Sequence, residues 1–177
     1  TVMGTLNVYQ AAQEAGVKRV VFMSSGSTMC GYEWDDDRPY GMLAAGQIDQ
    51  VESPWPMINY TDLPRPDSPY AVGKLFGETC GRWFADHYDM SVLCIRLGAV
   101  LDTDRPKLIR HYPGYLSQAD AVQMIDKCLA ASLSLRYDIF DAISENHSRW
   151  RDTSHAKEVL GWHPTGSSDG FDPDGLQ

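Results

Sequence analysis

Tyr70 and Lys74 are the residues of this sequence whose types and spacing most readily suggest catalysis. They stand four positions apart in "SPYAVGK", residues 68–74, and on a helix this spacing places both side chains on one face. A phenol in water has a pKa near ~10, and a nearby ammonium group favours its ionised form. The pair could therefore be a general base with a tuning cation, or two neighbours on an ordinary helix surface.

Two features beside this pair point to a site. Gly73, Gly77 and Gly81 recur every four residues along the same helix. A glycine in a helix interior costs about 1 kcal/mol relative to alanine, which indicates a close neighbour, either a ligand or another helix. Ser24 and Ser25 follow the run "RVVFM", and ligands of open α/β sheets bind beyond the carboxyl ends of the strands. Ser25 could bond a substrate oxygen or merely begin a turn.

The elements that would position these residues alternate between helices and buried strands, which is typical of a parallel α/β sheet. Ser68 is a suitable N-cap with Pro69 at the first helical position, and Ser117 with Asp120 resembles a capping box. The pattern predicts, in chain order, a helix over 2–15 stopped by Gly16, a strand in "VKRVVFMSS" buried on both faces, a helix over 69–88, a strand in "MSVLCIRLGAV", a helix in "AVQMIDKCLAA", a strand in "RYDIFDAI" and a helix in "DTSHAKEVLG".

Two segments lack this periodicity. Residues 32–66 collect five prolines, several aromatic residues and the acidic run 35–37. Structureless loops longer than ~12–15 residues are usually functional or disordered, and the aromatic residues favour a packed lid with a short helix near 42–48. The tail, residues 165–177, is rich in Gly, Ser and Asp, a composition that predicts disorder.

Composition limits the classes of function. The chain has 177 residues, of which 43% are hydrophobic, and this suffices for one globular core. A net charge of -9 disfavours binding to nucleic acid or to anionic membranes. The four cysteines show no C-x-x-C spacing and the five histidines no H-x-x-x-H spacing, so we predict neither a disulfide framework nor a metal site. No apolar run approaches the ~20 residues of a membrane span, and a reducing, cytoplasmic setting is expected.

Three segments in a fixed order carry a family resemblance. "GTLNVYQAAQEAGVKRVVFMSS", "SPYAVGKLFGE" and "LCIRLGAV" resemble the second half of an extended short-chain dehydrogenase/reductase of the NAD-dependent epimerase/dehydratase family. The resemblance covers residues 1 to about 164. It implies the C-terminal part of a Rossmann-like, doubly wound parallel sheet with helices on both faces, and substrate-binding elements over about 101–164. The interval of 45 residues from Ser25 to Tyr70 is longer than the family usually has, and the excess lies in the predicted lid insertion, residues 32–66.

The resemblance also implies catalytic roles. Ser25, Tyr70 and Lys74 match the family's catalytic triad: Tyr70 would exchange a proton with a substrate hydroxyl, Ser25 would orient that oxygen, and Lys74 would hold the cofactor ribose. Leu97 and Gly98, together with Tyr70 and Lys74, are expected to contact NAD, with NADP left open.

Within the family, the segments "LIRHY", "YLSQADAVQMI" and "RDTSHAKEVLGWHP" are most similar to uronate dehydrogenases. That similarity implies that Arg110 binds the sugar carboxylate, a group that suits a bidentate guanidinium; the alternative is a solvated surface arginine. Ala99 stands where those enzymes place a substrate-contacting serine, and Gly26 and Ser27 stand where they carry other polar residues. Ser25, Gly26, Ser27 and Ala99 are nevertheless the expected substrate contacts beside Arg110.

The family's glycine-rich phosphate turn and first strands have no counterpart before the first helix. A sheet without those strands would expose an apolar edge, and the resemblance implies a homodimer through helices 2–15 and 69–88. Three hypotheses follow: an NAD(P)-dependent oxidoreductase acting on a sugar or uronic acid, a nucleotide-sugar epimerase or dehydratase, and a truncated non-catalytic remnant that acts as a dimerisation or binding module.

Overall fold

Three parallel strands form the sheet of this protein in a computed structural model that describes residues 2–173 and 176. The strands are β1 (Arg19–Met23), β2 (Ser91–Leu97) and β3 (Tyr137–Ala142), and β2 lies between the other two. Both strand pairs are parallel, so all carboxyl ends lie at one edge of the sheet. The predicted α/β class is confirmed.

Helices connect the strands in the predicted order. They are α1 (Val2–Glu14), α2 (Tyr40–Ala44), α3 (Pro69–His87), α4 (His111–Gly114), α5 (Gln118–Ala130) and α6 (Ser154–Leu160). Short 3-10 turns occupy Gly26–Thr28, Cys30–Trp34 and Ile48–Gln50.

Alternate residues of β2 face two separate cores, because successive side chains of a strand point to opposite faces. One core joins β2 to α1 and α3 and contains Tyr9, Phe84, Ala85, Met90, Val92 and Cys94. The other joins it to α5, α6 and the segment after α6, and its largest buried members are Leu93, Ile95, Met124, Phe140 and Trp162. The sheet is therefore covered by helices on both faces, as the doubly wound prediction requires.

β1 corrects one prediction. The sequence predicts this strand to be buried on both faces, but all its residues are only partly buried. Within the described residues β1 pairs with β2 alone, and an edge strand keeps one row of backbone groups unpaired. Beside it, Val20 and Phe22 line an apolar groove together with Gly4 and Val8 of α1.

The predicted helix starts are confirmed at two places. Ser68 Oγ accepts the backbone N–H of Ala71 at 3.3 Å and caps α3. Ser117 Oγ accepts the N–H of Asp120 at 3.1 Å and caps α5. Asp120 does not return the bond as a capping box would, since its carboxylate is bonded elsewhere.

The 32–66 segment is packed. Its side chains form a third core cluster with Met29 and Trp150, built from Tyr32, Tyr40, Leu43 and Ile58. Its helix, α2, covers residues 40–44 instead of the predicted 42–48. A lid function for this segment stays a prediction.

The segment after Pro164 also differs from its prediction of disorder. The backbone N–H groups of Thr165 and Gly166 donate to the buried Asp120 carboxylate at 2.8 and 2.9 Å, and Ser168 is fully buried. These bonds order residues 165–173 despite their polar composition. Residues 174, 175 and 177 of the predicted tail lie outside the described residues.

Gly77 and Gly4 make a matched pair for testing helix packing. A Cβ at Gly77 would lie 2.1 Å from Phe22 Cζ, whereas one at Gly4 meets nothing within 4 Å. We expect Gly77→Ala to lower the free energy of unfolding by about 1–2 kcal/mol, since overpacking outweighs helix propensity. Gly4→Ala should raise it by up to about 1 kcal/mol. Urea unfolding of both variants measures this; equal effects would contradict the close α3–β1 approach.

Two global features bear on the class of protein. No helix in the described part of the chain is long and apolar enough to cross a membrane. All four cysteines carry free thiols.

Candidate active site

A cavity of about 230 Å³ lies at the carboxyl ends of β1 and β2. Parallel α/β sheets bind their ligands at this edge. Residues predicted from the sequence line much of the cavity, namely Ser25, Gly26, Ser27, Leu97, Gly98, Ala99 and Arg110. The structure thus brings together side chains and backbone from three separate parts of the chain, while their contact with a substrate stays a prediction.

Ser25 begins the tight turn that follows β1. Its Oγ accepts the N–H of Ser27 at 3.2 Å, and its carbonyl accepts the hydroxyl of Thr28 at 2.8 Å. Both bonds cap the 3-10 turn over Gly26–Thr28. The Ser25 hydroxyl hydrogen stays available as a donor toward the cavity.

Tyr70 and Lys74 stand on the first turns of α3, next to the end of β1. Lys74 Nζ donates to the carbonyl of Met23 at 2.6 Å and lies 5.4 Å from the centre of the Tyr70 ring. Tyr70 is 54% exposed. The helical spacing therefore places ammonium and phenol side by side as predicted, but neither residue is among those that line the cavity.

A buried ionic network ties α3 to both strands at this edge. Glu78, 3% exposed, receives two hydrogen bonds from Arg96, Nε to Oε1 at 2.9 Å and NH2 to Oε2 at 2.8 Å. The hydroxyl of Ser24 donates to the same carboxylate at 2.5 Å. Glu78 lies one turn beyond Lys74 and Ser24 precedes Ser25, so this network fixes the helix of the candidate base relative to the serine turn.

Arg110 is held by two carboxylates of the protein. Its Nε donates to Glu33 at 2.7 Å and its NH2 to Asp67 at 2.9 Å, while half of the side chain is exposed. Burial raises the pKa of Glu33, and Arg110 acts against that shift. Burial disfavours the charged guanidinium, but Asp67 and Glu33 raise the pKa of Arg110. Arg110 is thus a paired arginine at the cavity wall rather than a freely solvated one, and its role in binding a carboxylate stays a prediction.

Sequence reasoning missed a second guanidinium in the cavity. Arg151 lines it and is 3% exposed, and its NH1 donates to Asp141 Oδ1 at 2.6 Å. Burial raises the pKa of Asp141, with Arg151 and Arg96 acting against the shift. The sequence does carry one signal for such a residue. Arg96 and Asp141 lie inside otherwise apolar strands, and a buried charge needs a partner of opposite sign.

Cys30 also lines the cavity. Burial raises the pKa of its thiol to about 12, so it is not a thiolate nucleophile at neutral pH. The described residues contain no group of His, Cys, Asp and Glu side chains that could hold a metal ion.

A sequence model of the NAD dependent epimerase/dehydratase family matches residues 1–159. The chain belongs to this family. The resemblance noted in the three sequence segments is therefore confirmed, and the sheet with its two helical layers is that of a Rossmann-like member.

Among curated relatives in the family, the NAD-dependent glucose-6-phosphate dehydrogenase of Haloferax volcanii is 31% identical over 95% of this chain and 61% of its own length. An L-arabinose 1-dehydrogenase of the same organism is 31% identical over 93% of this chain. The uronate dehydrogenase of Pseudomonas putida is 30% identical over 96% of this chain and 54% of its own length. The chain thus spans between 54% and 65% of the length of these relatives.

Solved structures agree with this family membership. The uronate dehydrogenase of Agrobacterium tumefaciens superposes with a TM-score of 0.77 at 28% identity, over 96% of this chain and 55% of that one. A glucuronic acid dehydrogenase from Chromohalobacter salexigens gives 0.75 at 28% identity, over 98% of this chain and 60% of that one.

Proposed function

We propose that this chain supplies the proton-transfer residues and the substrate cavity of an NAD(P)-dependent oxidoreductase that acts on a sugar or uronic acid. The observation that carries the proposal is the cavity at the carboxyl ends of β1 and β2, walled by Ser25 and Arg110, with the Tyr70–Lys74 pair anchored beside β1 through Met23. The names of the relatives, all dehydrogenases of sugars or sugar acids, support the substrate class.

Each residue of the triad has a role that its surroundings permit. Tyr70 takes the proton of the substrate hydroxyl, for which its exposure gives direct access. Ser25 donates to the same oxygen and orients it from the turn after β1. The Lys74 ammonium lies 5.4 Å from the centre of the Tyr70 ring, so the two side chains act at the same place.

The residues present fit the nicotinamide end of the cofactor. Lys74 makes one hydrogen bond within the described residues, so two of its three N–H donors remain for the ribose hydroxyls. Leu97 and Gly98 are partly exposed at the end of β2 and line the cavity. When bound, NAD supplies the electron acceptor of the oxidation. The sequence has no G-x-G-x-x-G turn. We propose NAD as the cofactor, with NADP as the alternative.

The nucleotide-sugar epimerase or dehydratase alternative would use the same three residues, Ser25, Tyr70 and Lys74, and differs from the oxidoreductase in its product balance. The other alternative, a non-catalytic dimerisation or binding module, would retain the family fold without turnover.

A homodimer through α1 and α3 is also part of the proposal. Both helices expose large apolar side chains, including Met3 and Val8 on α1 and Val72 and Trp83 on α3, and exposed apolar surface of this kind favours association. Sedimentation analysis should give twice the mass of the chain, and Val8→Asp with Trp83→Asp should return the monomer. A monomeric wild-type protein would refute the dimer.

The free thiols suit the proposed cytoplasmic setting.

Incubation with NAD and a panel of aldoses and uronic acids tests the proposed function. Oxidation produces NADH in proportion to the sugar consumed, whereas epimerisation or dehydration converts the sugar without net NADH. We expect NADH with at least one sugar. Sugar conversion without NADH would favour the epimerase alternative, and neither conversion nor NAD binding would favour the non-catalytic module.

A further inference from the structure

We propose that Arg151 binds an anionic group of the sugar substrate, a carboxylate or a phosphate, inside the cavity. The inference rests on the proposed function, because it takes a sugar as the ligand. It adds a substrate contact that neither the sequence motifs nor the names of the relatives assign.

The free hydrogen-bond donors of Arg151 carry the inference. Every hydrogen bond that the guanidinium makes within the described residues uses NH1, which donates to Asp141 Oδ1 at 2.6 Å and to the carbonyl of Arg96 at 3.4 Å. Nε and NH2 have no such partner, although the residue is 3% exposed. These two nitrogens form the fork that binds a carboxylate or phosphate through two parallel hydrogen bonds.

The unpaired donors face the cavity. Arg151 belongs to the cavity wall. Among the described residues, Asp141 Oδ2 is the side-chain polar atom that is both fully enclosed and without a partner. The unpaired nitrogens of Arg151 are therefore not fully enclosed. Buried polar groups of proteins are almost always hydrogen-bonded. A ligand or water in the cavity must therefore accept the hydrogen bonds of Nε and NH2.

Arg110 differs from Arg151 at the same two atoms. Its Nε is bonded to Glu33 and its NH2 to Asp67, so its fork is occupied by protein carboxylates. Three N–H donors remain on NH1 and NH2, but the side-on pair formed by Nε and NH2 is already taken. Of the two cavity arginines, Arg151 is the one whose fork is open.

Arg151 is held in place from several sides. Its backbone pairs with the 32–66 segment, since the Ile58 N–H donates to the Trp150 carbonyl and the Asp152 N–H to the Ile58 carbonyl, both at 2.8 Å. Gly26 covers the guanidinium so closely that a Cβ there would lie 2.4 Å from NH2. A rigid, preorganised guanidinium of this kind loses little entropy when it binds an anion.

The ion pair with Asp141 does not explain why Nε and NH2 of Arg151 lack a partner within the described part of the protein. Asp141 occupies NH1 and leaves the fork open.

Calorimetric titration of the full chain with glucuronate, glucose 6-phosphate and glucose tests the inference. We expect the wild-type protein to bind one of the two anions more tightly than glucose, and the two arms distinguish carboxylate from phosphate. Arg151→Lys keeps a charge opposite Asp141 but removes the fork. It should weaken binding of the preferred anion about 10- to 100-fold and leave glucose binding within about twofold.

Three further variants, Gly26→Ala, Arg82→Lys and Arg110→Lys, keep the test decisive. Gly26→Ala displaces the guanidinium without changing any charge and should reproduce the loss even if Arg151→Lys fails to fold. Arg82→Lys, on the exposed Arg82–Asp86 pair outside the cavity, should bind as the wild type does. Equal binding of anions and glucose by the wild type, an unchanged preference in Arg151→Lys, or a preference lost only in Arg110→Lys would overturn the inference.

The titration needs neither NAD nor turnover, so it separates the inference from the proposed function. Anion binding that depends on Arg151 without any NADH formation would refute the oxidoreductase proposal and support the binding site. NADH formation from a sugar acid that is indifferent to Arg151 would do the reverse.

Discussion

Replacing Tyr70 with phenylalanine is expected to lower kcat by about 100- to 10,000-fold, the range of a lost general base. The phenol is exposed at the start of α3 and lies beside the Lys74 ammonium, so the substitution removes one hydroxyl and leaves the ion and the helix in place. Initial rates of NADH formation at saturating sugar measure the effect. Since no buried contact is lost, thermal unfolding should be unchanged.

Tyr88 provides the matched control for this substitution. It lies at the C-terminal end of α3, is partly exposed, and packs on Phe84 and Trp83. Tyr88→Phe removes the same atom away from the cavity and should retain the wild-type kcat. A Tyr70→Phe enzyme within about threefold of the wild type would show that Tyr70 is not the base.

Replacing Glu78 with glutamine should lower the free energy of unfolding by about 3–5 kcal/mol, the cost of breaking a buried ion pair. Glutamine keeps the shape of the side chain but removes its charge, which leaves the buried guanidinium of Arg96 without its hydrogen-bonded carboxylate. Urea unfolding near neutral pH measures the loss. Because Glu78 also accepts from Ser24, we expect the Ser25 turn to lose its fixed position as well.

A surface variant, Glu145→Gln, and a double variant serve as controls for Glu78→Gln. Glu145 pairs with Arg149 and Lys157 at the surface, so Glu145→Gln should cost at most about 1 kcal/mol. The double variant Glu78→Leu with Arg96→Leu should be more stable than either single variant, because it leaves no unpaired charge. Equal losses for Glu78→Gln and Glu145→Gln would contradict a buried network that anchors α3.

The sequence predicted those features of the site that depend on local structure. Ser68 caps α3 as its type and position indicate, and once that helix exists the i, i+4 spacing brings Tyr70 and Lys74 together. Ser24 and Ser25 are candidates because they follow a readable strand, and the family resemblance singles out Ser25. The contact of Lys74 with Met23 follows from the way α3 packs against β1.

Features that depend on distant chain segments could not be predicted in the same way. Arg151 reaches the cavity because Ile58 pairs with its backbone, and no sequence spacing encodes that bridge. The order of residues 165–173 likewise depends on the Asp120 carboxylate. The partial exposure of β1 follows from its position at the edge of the sheet, whereas its apolar composition indicated burial on both faces.

NADH formation by the protein in the presence of NAD and glucuronate, followed against the parallel reaction with glucose, tests the central claim most directly. We expect NADH from at least one of the two substrates, formed at a rate that increases with protein concentration and that is nearly abolished in Tyr70→Phe. No NADH from any sugar or uronic acid, together with no detectable NAD binding in a titration, would contradict it.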